Sequence, residues 1–242
     1  LHIHPQRIIR ETYIWSQLKN EHVLEFLGYH FACRDGRTEA LLVCPWLENG
    51  ESVEYVKQRN LGTLDRLQLL LESAEGLLYL HSHVPPICHG DVKGANILIK
   101  DDGHAALSDF GLAQISEEEF GGIASKSVQR GSIRWSSPER VSQDQPAAPP
   151  SDVWSWSWLI WEFMTGTLPF SHVNNSGCVV YHIISSKLPR CDEEAAIALV
   201  PSLAQLMHQC WQQEPKSRPS MTSCIRMLKQ IVSDQCPVDF LR

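Results

Sequence analysis

The stretch CHGDVKGANILIKDDGHAALSDFGLA, residues 88–113, decides how this chain folds and what it can do. It reads as a loop, a strand ILI, a DDG turn at 101–103 and a second strand AALS, so the turn chemistry predicts a hairpin. Asp91, Lys93 and Asn96 precede the hairpin and Asp109 follows it. Any one of them alone is better explained as a turn-capping or solvated residue. The ordered set is different, because antiparallel pairing folds the two ends of a hairpin together and lets all four converge. A carboxylate to take a hydroxyl proton, a cation beside a phosphoryl group and two oxygen ligands for Mg²⁺ are what phosphoryl transfer needs.

Working outward, apolar residues recur at helical spacing from residue 5 to about residue 18 (Ile8, Ile9, Tyr13, Ile14, Leu18), which predicts one amphipathic helix. VLEFLGYHF and ALLVCPWL follow as two expected strands around the polar segment CRDGRTE. LDRLQLLLESAEGLLYLHSH carries leucine at i, i+3, i+4 and i+7, the pattern of a long, broadly buried helix. Beyond Gly111, QISEEEFGGIASKSVQRGS reads as a long surface loop of the kind that is functional in compact domains. Four helices are expected after it, in SDVWSWSWLIWEFMTG, CVVYHIISSK, SLAQLMHQCWQQ and SMTSCIRMLKQIV, the last capped by Ser220. Trp154, Trp156, Trp158 and Trp161 are expected to pack in the core.

With 242 residues, 43% of them hydrophobic, the chain can bury a sizeable core. A formal charge of −7, with the 21 basic residues scattered, argues against a nucleic-acid or membrane-surface binder. No apolar run is long enough for a bilayer. The eight cysteines form no CxxC pair and the 11 histidines no HExxH motif, so metal would come through carboxylates and the thiols suit the cytosol or nucleus.

The ordered motifs resemble those of eukaryotic protein kinases. In that family the aspartate of HRDLKxxN is the catalytic base, and its asparagine and the DFG aspartate bind Mg²⁺. Asp91, Lys93, Asn96 and Asp109 stand at the matching positions here, and SPE at 137–139 stands for APE. The resemblance implies Asp91 and Lys93 as catalytic residues, Asn96 and Asp109 as Mg²⁺ ligands, and ATP as the phosphate donor. ALLVCPWLENG resembles the strand-to-hinge segment, with Cys44 as gatekeeper, the Pro45 carbonyl and the Leu47 N–H facing adenine. Asp152 resembles the aspartate that braces the catalytic loop, and Arg218 the partner of the APE glutamate, Glu139. Glu11 resembles the glutamate of the regulatory helix, with an exposed helical charge as the alternative. Trp15, one turn on, would join a stack with His89 and Phe110. Lys93 and GSIRW, whose Ser132 would bond Asp91 and Lys93, resemble the serine/threonine kinases. CWQQEPKSRPSM is similar to their tyrosine-kinase-like group.

Two departures stand out. Gly90 replaces the arginine of HRD, which in the family holds a phosphorylated activation loop, so phosphorylation at Ser125, Ser127 or Ser132 is not expected to switch the protein on, unless a cation such as Arg130 substitutes. No GxGxxG loop and no strand lysine precede the Glu11 helix; losing one such preorganised contact costs ~10²–10³ in rate. The expectation is therefore an α+β kinase-like fold. Residues 1–47 would form a partial small lobe of one helix and two strands with an open sheet edge, 48–235 a mainly helical large lobe, and 236–242 a tail. The implied function is transfer of the ATP γ-phosphate to protein serine or threonine, in signal transduction. The alternative is a pseudokinase or scaffold with a binding partner in place of a substrate.

Overall fold

The computed structural model describes residues 5–34, 37–115 and 132–235. Helix α1 (Pro5–Ser16) turns Ile14 and Trp15 inward, while Ile9 on its other side stays exposed. An antiparallel pair follows, β1 (Gly28–Arg34) with β2 (Arg37–Val43), in register from Gly28 opposite Val43 to Arg34 opposite Arg37. The first strand begins five residues later than the apolar run VLEFLGYHF predicts. Residues 22–24 dock elsewhere: Leu107 N–H donates to His22 O at 2.9 Å and Leu24 N–H to Leu107 O at 2.8 Å. The second strand likewise ends at Val43, leaving Cys44 to Leu47 as a connecting segment. Leu42 packs on the core, while Tyr29 and Phe31 remain exposed with their rings 5.5 Å apart.

A short helix α2 (Ser52–Gln58), not expected from the sequence, buries Ser52 and Val56. Helix α3 (Thr63–His81) is the predicted leucine helix and is buried on several sides, from Leu67 through Leu80. Gly76 is required there, since a Cβ would stand 2.7 Å from His22 O. Two-residue strands β3 (Ile87–Cys88) and β6 (Gln114–Ile115), also unforeseen, pair with each other. Between them lies the predicted hairpin of β4 (Ile97–Ile99) and β5 (Ala105–Leu107).

The rest of the described chain is helical. After α4 (Pro138–Gln143), a second helix missing from the sequence reading, α5 (Pro149–Thr165) carries the four tryptophans. Trp154, Trp156 and Trp158 are fully buried and Trp161 nearly so, as expected. Trp158 stacks on Trp211 at 4.1 Å and the Trp156 indole N–H reaches Ser73 Oγ at 3.0 Å. Aromatic burial of this extent dominates the energy of a core, at roughly 1.5–3 kcal/mol or more per large side chain. Helix α6 (Ser176–Ile184) starts at an Asn175 cap, which satisfies otherwise orphaned N–H groups. A short α7 (Ala195–Ala198), α8 (Pro201–Cys210) and α9 (Met221–Gln235) close the fold against α3 and α5. Ser220 Oγ accepts from Ser223 N–H at 3.3 Å, as the predicted cap requires. The architecture is one helix and a two-stranded sheet followed by a mainly helical body, as expected.

Candidate active site

Asp91, Lys93 and Asn96 sit between β3 and β4, and Asp109 lies two residues beyond the end of β5. The β3–β6 pair clamps the two ends of this region, so the loop that begins at His89 and the turn that begins at Asp109 run side by side. A Cβ on Gly90, whose φ is +78°, would meet Leu112 O at 2.7 Å. Only glycine fits such a backbone position without strain.

Asp91 is 4% exposed and lies at the centre of a hydrogen-bonded set. Lys93 Nζ donates to its Oδ2 at 2.7 Å and to Ser132 Oγ at 3.0 Å. Asn96 Nδ2 donates to Asp91 O at 2.8 Å and to Oδ2 at 3.1 Å. Burial pushes the Asp91 carboxyl up, but the hydrogen bonds from Lys93 and Ser132 and the Lys93 charge outweigh it and hold the pKa below the usual carboxylate range. The expected contacts of Ser132 with this pair are therefore present. Ser108, next to Asp109, is fixed to Asn96 O through both its N–H at 2.9 Å and its hydroxyl at 3.1 Å. That places the start of the DFG turn beside the Asp91 network. Asp109 itself adopts φ +59°, a left-handed conformation that aspartate tolerates, with Oδ1 accepting from Gly111 N–H at 3.2 Å.

Phe110 is fully buried between His89, at 5.3 Å, and Trp15 of α1, at 5.6 Å, so the predicted stack forms. Trp15 is held in turn by its indole N–H to Leu24 O at 2.6 Å. From behind, Asp152 accepts from His89 N–H at 2.8 Å, Gly90 N–H at 2.9 Å and His81 Nε2 at 3.0 Å. Its own burial raises its pKa, and the His81 and backbone bonds more than reverse that. Arg218 grips Glu139 with two bonds, as the resemblance implies. Glu11 is half-buried and has interaction partners, which argues against a purely solvated charge.

Pro45 and Leu47 stand after β2, and no hydrogen bond among the described residues ties either to the Asp91 network. The Leu47 N–H and the Pro45 carbonyl have no partner among the described residues, while Leu47 O accepts from Gly50 N–H. Cys44 is half-buried, and burial raises its thiol pKa. Ser125, Ser127 and Arg130 lie outside the described residues.

Two residues of this region escaped sequence reading. Glu162 on α5 is buried, its Oε2 accepting from Gly94 N–H at 2.9 Å and from the Trp135 indole at 3.0 Å. Burial pushes its pKa up to about 7. A carboxylate in the middle of a tryptophan-rich helix was the available signal, since such a group is seldom buried without a specific partner. Arg140 donates Nη1–H to Gly90 O at 2.5 Å, and nothing in the sequence marks it out.

The donor chemistry suits Mg²⁺. Asn96 commits its amide N–H group to Asp91, which leaves Oδ1 as an acceptor, and Asp109 offers a carboxylate. Among the described residues no cluster of three or more His, Cys, Asp or Glu side chains could hold a metal. A Mg²⁺ ion bound by one or two protein oxygens, with phosphate and water completing its shell, fits that limit.

Such a fold, with a braced aspartate and a second acid across a hairpin, defines a protein kinase domain. Residues 2–228 match the family of protein tyrosine and serine/threonine kinases, and the chain belongs to it. It is 28% identical over 241 residues to the mouse serine/threonine-protein kinase TNNI3K, covering 96% of this chain and 27% of that protein. Two Arabidopsis thaliana serine/threonine-protein kinases are equally similar: STY17, 28% identical with 93% and 37% covered, and CTR1, 28% identical with 97% and 28% covered. The chain thus spans 27% to 37% of the length of these relatives. They stand on the serine/threonine side of the family, in agreement with the tyrosine-kinase-like resemblance.

Proposed function

We propose that this chain transfers the γ-phosphate of ATP to serine or threonine hydroxyls of protein substrates. The observation that carries the reading is the network in which Lys93 bonds both Asp91 and Ser132 while Asn96 bonds Asp91. Asp91, held ionised at neutral pH, orients the substrate hydroxyl and accepts its proton as the new P–O bond forms and the bond from the γ-phosphorus to the bridging oxygen breaks, releasing ADP. Lys93 sets a positive charge beside that carboxylate, where the transferred phosphoryl oxygens gather. Asn96 Oδ1 and Asp109 would hold Mg²⁺, which would neutralise charge on the phosphates. The Pro45 carbonyl and Leu47 N–H take the adenine edge. The serine/threonine preference rests on Lys93 and on the likeness to serine/threonine-protein kinases. Residues 1–47 act as a partial small lobe and hinge and 48–235 as the large lobe.

No helix among the described residues is long and apolar enough to cross a membrane, and we place the protein in the cytosol or nucleus, acting on proteins rather than nucleic acid. The test is transfer of labelled γ-phosphate to a degenerate peptide mixture. Label should appear as phosphoserine and phosphothreonine and fall by ~10²–10⁴ in Asp91→Asn. Phosphotyrosine, or equal transfer by the variant, contradicts the proposal.

A further inference from the structure

We infer that Arg140 is a positioning residue for the Asp91 loop, fixing the peptide between Gly90 and Asp91 through the Gly90 carbonyl. This rests on the reading of Asp91 as the base.

Arg140 follows Glu139 on α4 and is 7% exposed. Its Nη1–H meets the Gly90 carbonyl at 2.5 Å. The same peptide unit ends in the Asp91 N–H, which donates to His89 Nδ1 at 3.3 Å. Because the peptide is planar, holding both ends fixes the plane from which the Asp91 side chain springs. The preceding unit is held by Gly90 N–H to Asp152 Oδ1 at 2.9 Å. Asp152 on α5 and Arg140 on α4 thus take the two backbone polar groups of Gly90.

The arrangement is an expensive one for stability alone. No described carboxylate pairs with Arg140, and its Nε is buried without an acceptor. A buried guanidinium left partly unsatisfied is a poor stabiliser, and an apolar side chain of like volume is often as good or better. The neighbouring Glu139 is occupied by Arg218. A cation at position 90, where the family pattern has arginine, is blocked here by the +78° φ and by Leu112 O standing 2.7 Å from any Cβ. In this protein the cation therefore approaches the loop from α4.

The experiment compares the whole chain with Arg140→Met and Arg140→Lys, reading amide hydrogen exchange at Asp91, unfolding midpoint, kcat and KM for ATP. In Arg140→Met, exchange at Asp91 should rise at least tenfold while α5 and α9 amides keep their rates. The unfolding midpoint should hold or rise, and kcat should fall about tenfold or more with KM little changed. Arg140→Lys, which keeps a donor, should recover part of both losses. Unchanged Asp91 exchange in Arg140→Met overturns the proposal, as does a kcat that falls only in proportion to lost folded protein. If the unaltered chain transfers no phosphate, the kinase reading fails on its own, and Asp91 exchange still decides the role of Arg140.

Discussion

Arg218 and Glu139 form a two-pronged ion pair, Nη1 to Oε1 at 2.8 Å and Nη2 to Oε2 at 2.7 Å, with the guanidinium 5.1 Å from the Trp154 ring. Burial raises the Glu139 pKa, and the Arg218 bonds and charge reverse that and hold it low. The pair links α4 to the segment just before α9. Arg218→Ala should cost about 3–5 kcal/mol in chemical denaturation, because it strands a buried carboxylate. The double variant with Glu139→Ala should lose less than the sum of the two single losses. Additive losses would show that the two side chains act separately.

Glu162 carries an opposite electrostatic load. Its folded pKa of about 7 exceeds the roughly 4.3 of an unfolded glutamate. The folded state therefore holds the proton more tightly, and stability falls as pH rises from about 4.5 to about 7, with no further loss from this group above that. Glu162→Gln, which keeps an acceptor for Gly94 N–H, should show a denaturation midpoint that gains on the unaltered chain across that window. A constant difference between pH 4.5 and pH 8 would mean that the carboxyl does not titrate there.

His104 at the β4–β5 turn gives the same sign from a basic group. Its hydrogen bond to Glu72, 2.8 Å from Nδ1, raises its pKa above the ordinary value. Its contribution is fully present below the unfolded pKa of about 6.5 and is lost as pH rises through the folded one. His104→Gln should accordingly be less stable than the unaltered chain in mildly acid solution, with the two converging at alkaline pH. Thermal melts across that range check it, and a gap independent of pH would contradict it.

The hairpin and the polar residues flanking it were legible in the sequence because turn chemistry and alternation act over a few residues. The leucine and tryptophan helices were legible because periodicity survives in a long element. The apolar run at residues 23–27 misled, since His22 and Leu24 spend their backbone groups on Leu107, more than eighty residues away. Helices α2 and α4 are too short to show a period, and the β3–β6 pair is two residues long. Of the site, Asp91, Lys93, Asn96 and Asp109 were foreseen as one group; the first three share one hydrogen-bond network, which Ser132 joins through Lys93, while Asp109 bonds Gly111 N–H beside it. Arg140 was not foreseen, because its partner is a backbone carbonyl that sequence does not mark.

Whether the Asn96 and Asp109 end of the site holds nucleotide in this chain is most directly measured by calorimetric titration of ATP with Mg²⁺, comparing the unaltered chain with Asp109→Ala. Micromolar binding that needs Mg²⁺ and disappears in Asp109→Ala is the predicted result. Absence of binding up to millimolar ATP, or binding indifferent to Asp109, would contradict the account and favour a scaffold that uses the same fold without phosphate transfer.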